Sequence, residues 1–187
     1  MRYPNIALCG KARSGKDTVA AHLCEAHGYT RLAFADPLKE MALSVDPLIP
    51  AGRVLGQRLH VRLNALVRDV GWEYAKDHYP EVRRTLQQMG QTVRALDPDF
   101  WIRALLAKAS AVSGPIVVTD VRYPNEHSAL SRDDFIPVRV TRPGFASTDT
   151  HTSETALDGY TFTAGISNDG DVARLRLKVD SLLASLV

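Results

Sequence analysis

Only two cysteines occur among the 187 residues, Cys9 and Cys24, and they form neither a CxxC pair nor any metal-ligand pattern. A disulfide framework is thereby excluded. Both read as small buried residues, which fits a reducing cytoplasm. No apolar run approaches the roughly 20 residues that a membrane span needs. The segment Met1–Asn5 leads directly into a short strand pattern, without the apolar stretch and cleavage site of a signal peptide, so a cytoplasmic location is expected. An excess of charge of one sign is missing too. The net charge of +2 is too small to argue for a nucleic-acid polymer or a membrane as partner. Internal repeats and low-complexity tracts are missing.

What is present is a globular composition, 45% hydrophobic and 24% charged, at a length suited to one domain with a full core. Lysine is rare among the cations: of 23 basic residues, 17 are Arg and 6 are Lys. The planar guanidinium suits bidentate phosphate recognition, although a GC-rich coding genome produces the same bias.

Strands and helices alternate at both ends of the chain. Ile6–Cys9 reads as a short buried strand, and a helix is expected over about 15–27, stopped by Gly28. Tyr29–Phe34 suits a second strand. Asp36-Pro37 reads as N-cap and first helical position of a helix reaching about Val45. Pro47–Gly52 reads as a loop, and 54–112 as almost wholly helical, punctuated by Gly71, Pro80 and Asp97-Pro98. Ile116, Val117 and Val118 mark a strong buried strand over 115–120. A short helix over 124–131, a strand over 136–141, a polar loop or lid over 145–158, a last strand over 161–166 and a helix over 171–187 complete the pattern. Strands separated by helices imply an α/β fold with a parallel sheet core flanked by helices. The long central block reads as a cap standing partly apart from the sheet.

Gly10-Lys11-Ala12-Arg13-Ser14-Gly15-Lys16-Asp17-Thr18 follows the first strand and opens the first helix, the context that a P-loop requires. Its glycines let the backbone wrap close to phosphate oxygens, and its N–H groups and the helix N-terminus favour an anion. Lys16 can reach the β- and γ-phosphates of a nucleotide. The match to GxxxxGK[ST] is incomplete, because Asp17 stands where a hydroxyl is usual and Thr18 comes one residue later. A direct hydroxyl–Mg²⁺ bond from position 17 is therefore not expected. A Gly-rich strand-to-helix turn without a ligand is the plain alternative.

Five segments together resemble the bacteriophage deoxynucleoside monophosphate kinases: Gly10–Thr18, Phe34-Ala35-Asp36-Pro37-Leu38-Lys39, Arg84–Trp101, Thr119-Asp120-Val121-Arg122-Tyr123-Pro124-Asn125-Glu126, and His151-Thr152-Ser153-Glu154. The resemblance implies a P-loop kinase fold in a single domain. Its core would be about 1–45 and 113–187, with a helical substrate-binding region about 46–112 and a short lid about 143–160. It implies transfer of the γ-phosphoryl of ATP to a deoxynucleoside 5′-monophosphate with Mg²⁺. It also implies a possible homodimer. The order Gly15-Lys16-Asp17-Thr18 fits this setting, where Thr18 contacts phosphate and water holds most of the magnesium.

On this reading ATP is held by Gly10, Lys11, Ala12, Arg13, Ser14, Gly15, Lys16, Asp17 and Thr18, with Asn168 bordering the adenine. Lys16, Asp120, Arg122 and Arg142 are the expected catalytic residues, and Asp120 is placed to hold Mg²⁺ through water. Arg139 is a further candidate for the phosphate or adenine side. Substrate is assigned to Asp36, Lys39, Arg84, Gln88, Gln91, Arg94, Trp101, Arg122 and Asn125. Arg84, Gln88 and Gln91 fall at i, i+4 and i+7 on one helical face, offering a cation and amides, with Arg94 near that face.

Several of these residues have plain structural readings as well. Asp36 suits an N-cap, Lys39 and the stripe suit a solvated face, Trp101 suits the core, and Asn125 with Glu126 suits a helix start. The spacing of His151, Ser153 and Glu154 is no hydrolase motif. Rival functions are a kinase of another acceptor, such as dephospho-coenzyme A or a small metabolite, a P-loop NTPase that drives a partner, and a non-catalytic nucleotide sensor.

Overall fold

Ile6, Ala7, Leu8 and Cys9 are all buried, and four consecutive buried residues mean that both faces of β1 (Asn5–Cys9) are covered. The computed structural model describes residues 3–144 and 152–186, except for the side chains of Arg53 and Val54. Residues 145–151, with His151 and the first part of the expected lid, lie outside the described residues, as do Met1, Arg2 and Val187.

The chain divides into two units, 1–34 with 102–187, and 35–101. In the first, β1 is followed by α1 (Lys16–His27) and β2 (Thr30–Leu32). Gly28, with φ of 70°, ends α1 as expected, and β2 is shorter than its sequence pattern. After the end of α5 (Phe100–Ala109) come β5 (Ile116–Val121), α6 (Pro124–Arg132) and β6 (Phe135–Thr141). The short α7 (Thr152–Thr155), β7 (Ala164–Ser167) and α8 (Val172–Leu186) complete it. The last strand starts three residues later than its pattern suggested and ends one later, because 161–163 stay outside the sheet.

The sheet order is β2-β5-β1-β6-β7, and every adjacent pair is parallel. This is the α/β arrangement of the sequence reading. One layer of core joins Ile6, Leu8, Val117 and Val138 of the strands to Val19 and Leu23 of α1 and to Leu175, Val179 and Leu183 of α8. The parallel order places the carboxyl ends of β1, β5 and β6 side by side, where ligands sit in such sheets.

The second unit holds α2 (Ala35–Val45), β3 (Leu48–Val54), β4 (Gln57–Arg62), α3 (Leu63–His78) and α4 (Pro80–Leu96), and ends in the first residues of α5. Two expectations are corrected here. Helix α2 opens at Ala35, so Asp36 lies in its first turn rather than capping it. Its charge still favours the N-terminal dipole.

The second correction concerns 48–62, read as loop and helix, which form an antiparallel hairpin. Leu55 and Gly56, both with positive φ, make its two-residue turn. A register shift between Pro50 and Gly52 accommodates the proline in the pairing. Ile49 opposite Val61 is the apolar pair that anchors the ribbon to Leu63, Leu66 and Val82. The remaining helical block follows the expected punctuation. Gly71 interrupts α3 with φ of 76° and ψ of 164°, and Pro80 opens α4.

Candidate active site

The loop after β1 is shaped by two glycines that no other residue can replace without movement. Gly10 has φ of 146°, and a Cβ there would lie 2.2 Å from the carbonyl oxygen of Val140. Gly15 has φ of 108°, and its Cβ would lie 2.6 Å from Nδ2 of Asn168. That Nδ2 donates to the carbonyl of Ser14 at 3.0 Å, and the Asn168 N–H donates to Thr141 at 2.7 Å. Asn168, assigned to the adenine side, therefore holds the loop itself. Arg13, with φ of 61°, completes the bend. Ser14 Oγ is buried without a hydrogen-bond partner among the described residues. Such an orphaned hydroxyl suits an oxyanion or a hydrated cation, so the cradle fits a phosphate chain with its metal.

Lys16 turns back over the loop, donating to the carbonyls of Gly10 at 2.7 Å and Lys11 at 2.8 Å. Burial pushes its ammonium pKa down, the Arg122 guanidinium adds to that, and Glu154 opposes it. Asp17 is exposed and Thr18 half-buried in the first turn of α1.

A cavity of about 190 Å³ opens beside the loop, lined by Gly10, Lys11, Arg122, Arg139, Arg142 and Glu154 among others. The carboxylate of Glu154 is only 5% exposed. Its Oε2 accepts the N–H of Ala12 at 2.8 Å, and its Oε1 accepts from Arg122. Lys11 donates to the Glu154 carbonyl at 2.9 Å and to Asp158 at 2.7 Å. Arg139 donates to the carbonyl of Leu157 and stacks its guanidinium over Phe162, 4.2 Å from the ring centroid. Burial alone would lower the Arg122 pKa, but Glu154 foremost and Asp120 next raise it above the usual value. Arg122 therefore stays cationic. A loop amide, a guanidinium and nearby ammonium groups here surround one anionic group, which is the environment a phosphoryl oxygen needs.

Asp120, near the carboxyl end of β5, accepts the N–H of Phe34 at 2.8 Å through Oδ1. Glu126 is 2% exposed, and its Oε2 accepts the N–H groups of Arg122 at 2.8 Å and Tyr123 at 3.1 Å. It thus satisfies the amides ahead of α6 and fixes the backbone from which Arg122 projects. The helix starts at Pro124, so Asn125 is inside it rather than at its cap. Arg142 is exposed at the cavity rim.

The assigned substrate residues of 35–101 have the following surroundings within that unit. Lys39 lies over the ring of Trp72, 5.8 Å from its centroid. Arg84 pairs with Glu81 at 2.9 Å on the exposed face of α4. Gln88 is exposed, while Asp36, Gln91 and Arg94 are half-buried. Trp101 is 3% exposed; its indole N–H donates to Gly90 at 3.3 Å and it meets Phe100 edge-on. That is the core reading of this tryptophan.

Among the cavity residues, Asp158 was not singled out from sequence, and Glu154 was named only within the resembling segment 151–154, without a role. Their partners Ala12 and Lys11 lie more than 140 positions away, and no local periodicity encodes that contact.

Residues 59–179 match the family model described as deoxynucleotide monophosphate kinase. A protein of Acanthamoeba polyphaga mimivirus, provisionally named a deoxynucleotide monophosphate kinase, is 29% identical over 165 residues, covering 81% of each chain. The uncharacterized protein ORF77 of Ictalurid herpesvirus 1 is 30% identical over 138 residues, which span 70% of this chain but only 60% of that protein. Among solved structures, TT1252 from Thermus thermophilus superposes with a TM-score of 0.50 at 20% identity, over all of both chains. A gluconokinase from Sinorhizobium meliloti 1021 superposes with a TM-score of 0.51 at 17% identity, over 100% of this chain and 95% of the other. These likenesses establish the P-loop kinase fold. No helix among the described residues is long and apolar enough to cross a membrane.

Proposed function

The chain belongs to the deoxynucleotide monophosphate kinase family, and on that premise we propose that it transfers the γ-phosphoryl of ATP to a deoxynucleoside 5′-monophosphate. The observation that carries the reading is the meeting of the Ala12 N–H and the Arg122 guanidinium on a single buried anionic group beside the P-loop. A bacteriophage source is proposed from the resemblance of the five segments alone.

In this reading Gly10–Thr18 cradle the donor phosphates, and the Lys16 ammonium exchanges the Gly10 and Lys11 carbonyls for β- and γ-phosphate oxygens. An oxygen of the acceptor phosphate attacks the γ-phosphorus, the bond to the bridging oxygen breaks, and ADP leaves with that electron pair. The acceptor oxygen is already a nucleophile, so no general base is needed. Arg122 and Arg142 neutralise the moving group, and Glu126 keeps Arg122 in place through its backbone amide. Mg²⁺, when bound, spreads the charge of the donor phosphates, and Asp120 is the carboxylate suited to orient its water ligands. The proposed acceptor residues are Asp36, Lys39, Arg84, Gln88, Gln91, Arg94 and Asn125, while Trp101 serves the core.

The test is coupled ADP release with ATP–Mg²⁺ and each of the four common deoxynucleoside monophosphates. Ribonucleotides, other phosphate acceptors and a no-acceptor control run alongside. Turnover that depends on a deoxynucleotide is expected. Turnover without any acceptor would identify an NTPase instead.

A further inference from the structure

On the side of α1 that meets the last helix, His22 and His27 both turn their Nε2 atoms to the same oxygen of Asp180 on α8. Each contact is 2.7 Å, and both fall on Oδ1. The imidazoles are largely buried, 11% and 16% exposed, while the carboxylate is 43% exposed. All three ligand atoms lie within 4.8 Å of one another. The rings of His22 and His27 meet edge-on, 5.5 Å between centroids, so neither blocks the other's Nε2. Tyr3 closes the far side: its ring meets His27 edge-on and its hydroxyl lies 3.4 Å from His27 Nδ1. The phosphate chemistry uses none of these four residues. At 1.5 Å of helix rise per residue, His27 is about 16 Å along α1 from Lys16 and His22 about 9 Å.

We propose that His22 Nε2, His27 Nε2 and the Asp180 carboxylate form a binding site for a borderline-soft transition-metal dication of the Zn²⁺ class, bridging α1 and α8. Three convergent protein ligands leave a fourth tetrahedral position for water. With metal–ligand distances of about 2.0–2.2 Å, tetrahedral geometry needs neighbouring ligand atoms about 3.3 Å apart. The two N···O contacts therefore open by only about 0.6 Å each to admit an ion, a movement within side-chain torsion. The Tyr3 hydroxyl beside Nδ1 is the outer partner that orients a ligating imidazole and leaves Nε2 for the metal. The donor set also sets the choice of ion. Two imidazoles favour Zn²⁺, Co²⁺, Ni²⁺ or Cu²⁺ over Mg²⁺, which prefers oxygen. The site is thus separate in chemistry, as well as in place, from the magnesium of phosphoryl transfer.

Such an ion would tie the C-terminal part of the P-loop helix to α8. At present the exposed Arg176–Glu25 pair, at 3.4 Å, is another polar link between those helices.

The test uses the untagged full chain, stripped with a chelator and titrated with Co²⁺, whose visible d–d absorption reports coordination. Saturation at one equivalent is expected, with bands of nitrogen and oxygen ligation, displacement by Zn²⁺ and no displacement by excess Mg²⁺. His27→Gln and Asp180→Asn should each weaken binding at least tenfold while leaving the far-UV circular dichroism intact. Cys24→Ser, which removes the thiol carried on the same helix, should leave binding unchanged. Zn²⁺ should raise the melting temperature of the wild type and not of His27→Gln. Absence of saturable Co²⁺ uptake would overturn the proposal. So would equal affinity in the Asp180→Asn chain, or a thiolate charge-transfer band that Cys24→Ser abolishes.

Discussion

Glu154 Oε2 accepts the backbone N–H of Ala12 at 2.8 Å, an amide of the loop that the P-loop fold turns towards phosphate. The same carboxylate takes the Arg122 guanidinium on its other oxygen. A nucleotide phosphate entering this loop needs the same two donors, so carboxylate and phosphate compete for them. Glu154→Gln keeps the size of the side chain and removes its charge. It is expected to tighten ATP binding roughly three- to tenfold, equivalent to about 0.6–1.4 kcal/mol. Titration of a fluorescent ATP analogue reads this directly. Unchanged or weaker binding would show that the carboxylate supports the nucleotide rather than competing with it.

Lys16 makes a second prediction. Its ammonium is held by the Gly10 and Lys11 carbonyls, a pair of bonds that other loop contacts can outlast. Lys16→Ala should therefore cost about 1 kcal/mol of stability. In the transition state the same ammonium faces developing phosphoryl charge, where loss of one donor costs about 10²–10³ in kcat. Steady-state kinetics with thermal melts separates the two effects. Near-normal turnover in a folded Lys16→Ala chain would refute the kinase reading.

These two residues also show how far the sequence carries the structure. Strand β5 and the stop at Gly28 were legible because each rests on local chemistry. Ile116, Val117 and Val118 are β-branched and consecutive, and a Gly at a helix end takes the left-handed conformation cheaply. The P-loop was legible because its spacing is itself the structure. The hairpin over 48–62 was not. Gln57, Arg58, Leu59 and His60 are all exposed, so inward alternation is reduced to the Ile49–Val61 pair and a period of two has almost nothing to act on. The pairing of Glu154 was illegible for another reason. Its partners arrive only when β1 and the segment after β6 lie side by side, and residue types alone do not report that. The His22–His27–Asp180 cluster has the same cause, because its carboxylate lies on the last helix, 153 positions from His27.

A contrast between two glycines checks the packing of the loop. Gly10 and Gly28 both have positive φ, 146° and 70°. A Cβ at Gly10 would meet the Val140 carbonyl at 2.2 Å, whereas nothing lies within 4 Å of one at Gly28. Gly28→Ala should therefore cost only the left-handed backbone term, about 1–2 kcal/mol. Gly10→Ala must also displace the backbone of β6, and about 3 kcal/mol or more is expected. Urea unfolding with an unchanged m-value measures both. Equal losses would mean that the Gly10 approach to β6 is looser than described.

The last prediction concerns acid. Lys178 Nζ donates to both oxygens of Asp169, at 2.7 and 2.8 Å, and Arg174 lies 3.3 Å from Oδ1. The hydrogen bonds from Lys178 foremost, with the charge of Arg174 adding, hold the Asp169 carboxyl below its usual range. A carboxyl with a depressed folded pKa stabilises the fold above its unfolded pKa, about pH 4, and that contribution disappears as pH falls through the lower folded value. Asp169 stands before α8, and its loss leaves Lys178 tied to the turn that leads into that helix through the Ser167 carbonyl, at 2.7 Å. Asp169→Asn should therefore melt below the wild type at pH 7, with the difference shrinking below pH 4 and vanishing once the wild-type carboxyl is itself protonated. Thermal melts of both chains between pH 2 and 7 give the comparison. A gap that persists unchanged to the lowest pH would assign the loss to the shape of the turn rather than to the charge of Asp169.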